Sequence, residues 1–153
     1  MITGYRAEEL FKNALIKMGC KVIEATRDEN MFGHFDFVVN GQKIEVKSEK
    51  AINRGEQSSP IFWIEALNVR GDIGWLYGKS DKIAFLHRKE FWIVITENIR
   101  RYIELNIPRF DKPNKYKKYK GWYRRYGRMD SVTYIYPKDI LPLVAQKIKI
   151  VSN

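Results

Sequence analysis

The sequence predicts an α/β fold in which a mixed central sheet is flanked by helices. Three observations favour this fold class. Apolar residues recur at helical spacing in residues 5–18. Two runs of alternating apolar and polar residues in 34–50 are separated by Asn40-Gly41, and strand-like segments between residues 61 and 95 precede a second helical pattern. A chain of 153 residues can bury a substantial core, so one domain is expected.

The two runs in 34–50 predict a β-hairpin, with a helix and a short strand before it and a loop after it. The first helix is predicted over residues 5–18 and ends at Gly19. Its apolar stripe consists of Ala7, Leu10, Phe11, Ala14, Leu15 and Met18. A short strand is expected in residues 21–27 and a polar connection in 28–34. Beyond the hairpin, residues 51–60 have the composition of a loop.

The remaining elements are shorter strands and two further helices. Strands are predicted in the segments IFWIEALNV (61–69), GWLYG (74–78), KIAFLH (82–87) and FWIVI (91–95). The second helix is expected to use Thr96 as its N-cap. Its half-buried face would consist of Ile99, Tyr102, Ile103 and Leu105. The segment 131–148 predicts a strand and then a short helix that begins near Pro137 or Pro142.

Charge and composition narrow the possible partners and compartment. The chain has 28 Lys and Arg against 18 Asp and Glu, which gives a formal net charge of +10. This charge indicates a polyanionic partner, with nucleic acid favoured over a membrane surface. The sequence has no run of about 18 apolar residues, so we expect a cytoplasmic, non-exported protein. Cys20 is the single cysteine, which weakly indicates a reducing compartment.

The hairpin brings two carboxylates together. A type I′ turn at Asn40-Gly41 places Asp36 opposite Glu45. The residues predicted on the apolar face are Phe35, Phe37, Val39, Ile44 and Val46, and those on the opposite face are Asp36, Glu45 and Lys47. Opposed like charges are destabilising, and two carboxylates suit a hard divalent cation such as Mg²⁺. Lys47 could then act on a metal-bound water or an attacked phosphate. A solvated charged face is the alternative interpretation.

The first helix offers one further carboxylate. At about 100° per residue, Glu9 lies nearly opposite the apolar stripe and is expected to face solvent. Glu8 falls at the border of the stripe, roughly 80° from its centre. Of the two, Glu8 is the residue that could reach a site shared with the hairpin.

These residues carry a family resemblance. The order of a helical glutamate, an aspartate at the start of a strand and Glu-x-Lys in the next strand resembles the PD-(D/E)xK nuclease superfamily, with Phe35 at the position of the proline. The combination of Gly4, Ala7-Glu8 and Gly19 is similar to archaeal-type Holliday-junction resolvases, and the chain also resembles small phage-type endonucleases. The resemblance covers about the first third of the chain.

The resemblance implies a restriction-endonuclease-like core and a single nuclease-like domain over residues 1–153. It implies that Asp36, Glu45 and the backbone carbonyl of Val46 bind Mg²⁺ or Mn²⁺. It also implies a catalytic role for Lys47 and metal or water contact by Glu8. A homodimer or higher homo-oligomer would be usual for such nucleases.

The residues around this motif offer less specific signals. His34 and Ser48 flank it and could contact a phosphate or a metal-bound water. Glu65 could add a carboxylate if its strand lies beside the hairpin. The alternative interpretation is a polar loop residue for His34 and an ordinary alternating strand residue for Glu65.

Residues 108–128 form a basic aromatic stretch with Asp111 as its one acid. Cations neutralise phosphates and aromatic rings stack on bases, so this composition predicts a nucleic-acid contact surface. The residues assigned to it are Lys115, Lys117, Lys118, Lys120, Trp122, Tyr123, Arg124, Arg125 and Arg128. The alternative is a solvated basic loop whose aromatic side chains are buried in the core.

The function expected from these features is metal-dependent hydrolysis of phosphodiester bonds in DNA, including branched or structured DNA. Two alternatives stay open: a non-catalytic nucleic-acid-binding module, and an RNase on the same scaffold.

Overall fold

The computed structural model describes residues 2–54 and 57–151. The helices are α1 (Gly4–Lys17), α2 (Thr96–Asn106) and α3 (Pro137–Ile140). The strands are β1 (Val22–Glu24), β2 (Phe37–Val39), β3 (Gln42–Ser48), β4 (Lys50–Arg54), β5 (Gln57–Leu67), β6 (Lys82–His87), β7 (Glu90–Ile95), β8 (Ser131–Ile135) and β9 (Val144–Lys149). A π-helical segment spans Glu29–Gly33, and 3₁₀ turns span Trp75–Tyr77 and Leu141–Leu143.

The described strands form two sheets. The larger is a mixed six-stranded sheet in the order β1-β2-β3-β6-β7-β9, in which β3 and β6 are parallel and the other neighbours are antiparallel. The smaller is antiparallel and has the order β4-β5-β8. Because β4 follows β3 after one residue, the end of β3 lies where the chain passes from one sheet to the other. The expected mixed sheet is confirmed.

The larger sheet is covered on both faces. Helix α1 packs on one face, where Phe11 contacts the rings of Phe37 and Phe91. The other face packs against β5 of the smaller sheet and against α2, through residues such as Phe62 and Ile99. The prediction of a sheet flanked by helices is therefore confirmed, and the smaller sheet, which was not predicted, shares the second layer with α2. The added layer is possible because β5 has buried apolar side chains along one face.

Helix α1 forms where the sequence predicts it. The Thr3 side chain accepts a hydrogen bond from the Arg6 N–H (3.2 Å), which caps the helix, and Gly19 follows with a φ of 85°. Within the predicted stripe, Ala7, Phe11, Ala14 and Leu15 are buried. Met18 is exposed instead, because it caps the end of the helix beyond the face that meets the sheet.

Several predicted elements differ from those observed. Residues 51–60 are not one loop: residues 55 and 56 lie outside the described part of the chain, and their neighbours belong to β4 and β5. The predicted strand at 74–78 is instead a 3₁₀ turn, because the Tyr77 and Gly78 N–H groups donate to the Gly74 and Trp75 carbonyls (3.2 and 3.1 Å) and not to a neighbouring strand. Strand β9 was not predicted, since only Ile148 is buried on this polar edge strand.

Helix α2 lies where the sequence predicts it, but its buried face and its N-cap differ from the prediction. Ile99 and Ile103 are fully buried, while Leu105 is exposed. Thr96 is the first helical residue rather than the N-cap, and its buried hydroxyl hydrogen-bonds to Ser80 (3.0 Å). Among the helices that the structure describes, none combines the length and apolar character required to cross a membrane.

Candidate active site

The hairpin has the predicted register. Asn40 and Gly41 both have positive φ, at 51° and 77°, and Phe37 lies opposite Ile44. The alternation is confirmed for Phe37, Val39, Ile44 and Val46, which pack under α1. Phe35, predicted on the same face, is buried outside this cluster, and the Lys43 ammonium of the opposite face lies over its ring (5.4 Å). In the parallel β3–β6 pair, Glu45 lies beside Ile83 and Lys47 lies beside Phe85. Because the side chains of Ile83 and Phe85 pack on the face of the sheet away from α1, Glu45 and Lys47 belong to that face as well.

Asp36 departs from the regular ladder. Its N–H donates to the Ile44 carbonyl (2.9 Å), and the β2–β3 ladder ends at Phe37. The Asp36 carboxylate is instead fixed by two donors: the Val46 N–H bonds Oδ2 and the Asn30 side chain bonds Oδ1, each at 2.7 Å. A carboxylate with both oxygens held in this way has a defined orientation.

The four predicted catalytic side chains line one cavity of about 410 Å³. Glu8 approaches from α1, Asp36 precedes β2, and Glu45 and Lys47 extend from β3. The Glu8 and Glu45 carboxyls each lie close enough to Asp36 for the Asp36 carboxylate to contribute to raising their pKa values. The Lys47 ammonium is 3.4 Å from Glu45 Oε1. Side chains distant in sequence are therefore brought together as the motif predicts.

The cavity concentrates negative charge in a poorly solvated place. Burial and the neighbouring Asp36 charge raise the pKa of Glu8 to about 7. Burial also raises the pKa of Glu45 well above its ordinary range, although the nearby Lys47 ammonium opposes this shift. Lys47 lies over the Trp75 ring at 5.3 Å, which gives the cation a second favourable contact. With all three carboxyls ionised, their negative charge would exceed what Lys47 alone offsets, so the metal-free cavity favours protonation of Glu8 and Glu45.

The donor set is suited to a hard divalent cation. Glu8, Asp36 and Glu45 offer only oxygen ligands. The pKa values of Glu8 and Glu45 are raised by burial and, to a lesser extent, by the Asp36 charge, and a bound cation would offset that repulsion. In residues 2–54 and 57–151, no group of three or more His, Cys, Asp or Glu forms a ready-made metal-ligand cluster. Each Asp36 oxygen accepts one hydrogen bond, from Asn30 or from the Val46 N–H, and keeps a second lone pair that a cation could use. The Val46 carbonyl stays a predicted ligand.

Three further residues named from the sequence, Glu65, His34 and Ser48, also line this cavity. Glu65 of β5 lines the same cavity, and burial raises its pKa. Gly74 is needed beside it, because a Cβ at Gly74 would lie 2.6 Å from the Glu65 carbonyl oxygen and 2.9 Å from Oε1. His34 lines the cavity with a left-handed φ of 57°, and its Nε2 lies 3.0 Å from the Ile73 carbonyl. Ser48 also lines the cavity.

Asn30 is the site residue that sequence analysis missed. It belongs to the π-helical segment, within the residues expected to form a polar connection. A signal for this segment was present in Thr26-x-x-Glu29, a capping box. The Thr26 N–H donates to the Glu29 carboxylate (2.9 Å), and the Glu29 N–H donates to the Thr26 hydroxyl (3.1 Å). Recognising that box would have predicted the helical turn that presents Asn30 to Asp36.

The basic aromatic stretch divides into buried and exposed parts. Trp122 and Tyr123 are only 3% and 4% exposed, so the prediction that they stack on bases is wrong in this conformation. The Trp122 indole donates to the Ile107 carbonyl (2.7 Å), and the Tyr123 hydroxyl accepts from Trp63 (2.8 Å). An irregular segment gives no periodic pattern from which burial could be read. The alternative interpretation of core aromatic residues applies to these two.

The cations of the stretch also differ from one another. Arg125 lies over the Trp63 ring (4.2 Å) and bonds the fully buried Asp130 carboxylate (2.6 Å). Lys120 is paired with Asp139 at 3.4 Å. The exposed cations of the stretch are Arg109, Lys112, Lys115, Lys117, Lys118, Arg124 and Arg128. These side chains are accessible to a polyanion, whereas Arg125 and Lys120 form ion pairs within the fold.

Stability should depend on pH through Glu8. Its pKa is raised on folding, so its effect on stability is most favourable below about pH 4.5 and is lost as pH rises to about 7. Relative to Glu8→Gln, the wild-type free energy of unfolding should fall by about 1 to 2 kcal/mol between pH 4 and pH 8, after allowance for solvent screening. Urea unfolding in EDTA at both pH values measures it, with the exposed Glu97→Gln as control. Parallel pH profiles for wild type and Glu8→Gln would contradict the assignment.

Comparisons with protein-family models, curated proteins and solved structures found no match to this chain.

Proposed function

We propose that the chain is a metal-dependent endonuclease that hydrolyses phosphodiester bonds in DNA. The observation that carries this proposal is the meeting of Glu8, Asp36, Glu45 and Lys47 in one cavity of a chain with a net charge of +10. Carboxylates beside a lysine occur in sites of many kinds and do not by themselves indicate the substrate. On a strongly basic chain, a polyanionic substrate is the natural complement.

Each side chain has a role in this proposal. Asp36 and Glu45 would hold Mg²⁺ or Mn²⁺, with Glu8 assisting at the ion or its water. The bound ion supplies Lewis-acid polarisation and a nucleophilic water. Lys47 orients that water or stabilises the charge that develops on the attacked phosphate. Asn30 and the Val46 N–H keep the Asp36 carboxylate oriented through their hydrogen bonds.

We further propose that the core is restriction-endonuclease-like. Support comes from the element order, in which α1 carries Glu8, Asp36 precedes β2, and β3 carries Glu45-Val46-Lys47. The position of β3, between antiparallel β2 and parallel β6, places Glu45 and Lys47 well inside the sheet. The β4–β5 hairpin and a 3₁₀ turn connect β3 to β6, and they add the smaller sheet to this core.

DNA binding should depend on the exposed cations of residues 108–128. We expect the double substitution Arg124→Gln and Arg128→Gln to weaken DNA binding and to reduce the slope of log affinity against log salt concentration by about 1 to 2. Affinity measured at several salt concentrations tests this. Arg101→Gln, an exposed arginine on α2, is the control. An unchanged slope in the double variant would remove this surface from the interface.

A cleavage assay tests the proposed function. The substrates are linear, single-stranded, nicked and four-way-junction DNA together with matched RNA, each incubated with Mg²⁺, Mn²⁺ or EDTA. Cleavage of at least one DNA substrate that requires the metal supports the proposal. Binding without cleavage under every condition would favour the non-catalytic binding module, and cleavage of RNA alone would favour an RNase. Light scattering tests the expected homodimer separately.

A further inference from the structure

A second cavity, of about 640 Å³, opens beside the candidate active site. Glu65 and His34 line both cavities, so the two adjoin. We refer to this second cavity as the flanking groove. Its remaining walls come from the π-helical segment, from the loop 68–73 and from residues 77–79.

The walls of the flanking groove are apolar and accessible. Met31 and Phe32 come from the π-helical segment, and Val69 and Ile73 come from the loop. All four are exposed, and Phe32 retains 73% of its accessible surface. A group of exposed apolar side chains on a strongly charged chain indicates a binding surface. The exposed ring of Phe32 in particular offers a face for stacking.

Hydrogen bonds fix the two sides of the flanking groove. His34 Nε2 lies 3.0 Å from the Ile73 carbonyl, and the Lys79 N–H donates to the Gly33 carbonyl (2.7 Å). The Asn68 side-chain oxygen accepts from the N–H groups of Arg70 and Asp72, each at 3.0 Å, which orders the loop. The groove is therefore shaped by the fold itself.

The rim of the flanking groove carries charges of both signs. Arg70 and Lys79 could neutralise phosphates on either side of a bound residue. Asp72 and Glu65 offer carboxylate oxygens that could accept from the exocyclic amino group of a base. Apolar walls, an exposed ring and mixed rim charges together match one nucleotide better than a regular duplex, whose bases are stacked inside.

We propose that the flanking groove holds an unpaired nucleotide of the substrate strand, with its base stacked on Phe32. This inference rests on the proposed function and specifies its substrate: DNA with an unpaired nucleotide close to the phosphodiester bond in the active-site cavity. The π-helical segment links the two places, because Asn30 bonds Asp36 in one cavity while Phe32 lines the other.

The experiment measures binding in EDTA, where the metal-dependent reaction is off. One DNA strand containing 2-aminopurine is annealed to a full complement or to a complement that lacks the opposing nucleotide. We expect the wild type to bind the bulged DNA about tenfold more tightly than the paired DNA, with quenching of the 2-aminopurine fluorescence by stacking. Phe32→Ala should remove the preference and the quenching, whereas Phe32→Trp should retain both. Leu105→Ala, at an equally exposed apolar position on α2, should behave as wild type.

Equal wild-type affinity for the two DNAs, or a preference that survives Phe32→Ala, would overturn the inference. A Phe32→Ala variant that loses self-association and keeps the preference would show instead that the groove joins copies of the chain. The proposed function is judged independently by cleavage. If the protein cleaves DNA with Mg²⁺ but does not prefer bulged DNA, only the role of the flanking groove is refuted. If it prefers bulged DNA but cleaves no substrate, only the nuclease function is refuted.

Discussion

Replacing Lys47 with alanine should lower the rate of Mg²⁺-dependent DNA cleavage about 100- to 1,000-fold while changing DNA affinity little. The Lys47 ammonium lies 3.4 Å from Glu45 and over the Trp75 ring, so its position in the cavity is fixed. A fixed charge that acts on the developing negative charge of the transition state contributes mainly to rate. Single-turnover cleavage and equilibrium binding in EDTA separate the two effects.

Lys43→Ala is the matched control for this substitution. Lys43 lies on the same strand and the same face as Lys47, but its ammonium lies over the Phe35 ring at 5.4 Å. The Lys43→Ala substitution removes one positive charge from the chain, as Lys47→Ala does, but leaves the charges of the active-site cavity unchanged. Equal rate losses in the two variants would mean that general charge matters and that Lys47 has no catalytic role.

Replacing Glu45 with glutamine should stabilise the metal-free protein at about pH 8 and remove its response to Mg²⁺. Burial raises the pKa of Glu45, so its ionisation above that pKa opposes folding, and glutamine does not ionise. In the wild type, Mg²⁺ at about 100 times its dissociation constant should add about 2.7 kcal/mol to the free energy of unfolding. The variant should show almost none of this increase.

Thermal unfolding with EDTA and with Mg²⁺ measures both effects. Glu9→Gln is a useful control, because Glu9 lies beside Glu8 in α1 but pairs with Arg6 at the surface (3.6 Å). The same Mg²⁺ response in wild type and Glu45→Gln would place the ion elsewhere. A wild type that gains no stability from Mg²⁺ would argue against a metal site formed by the free protein.

Local signals allowed the motif-bearing part of the fold to be predicted. Asn40-Gly41 determined the register of the hairpin, since only positive φ at both residues closes that turn. The helical period placed Phe11 in the core and Glu8 at the border of the buried face. These signals lie within a few residues of the features they determine, so one sequence is enough to read them.

Other features depend on partners that are distant in sequence. The burial of Trp122 depends on contacts with residues such as Ile107, and no local pattern indicates such contacts. The smaller sheet forms because β5 pairs with β8, about 70 residues later in the chain. Asp36 lies beyond the end of the regular β2–β3 ladder, where its carboxylate bonds the Val46 N–H, and the alternating pattern of the sequence does not indicate that bond.

The most direct test of the proposed active site is the single-turnover rate of DNA cleavage as a function of Mg²⁺ concentration, compared between wild type and Glu45→Gln. We expect no wild-type cleavage in EDTA and a rate that rises and saturates with Mg²⁺. In Glu45→Gln, the curve should shift to at least about tenfold higher Mg²⁺ and reach a lower maximum. Cleavage that persists in EDTA, or identical Mg²⁺ curves for the two proteins, would contradict the assignment of the carboxylate cavity as a metal-dependent active site.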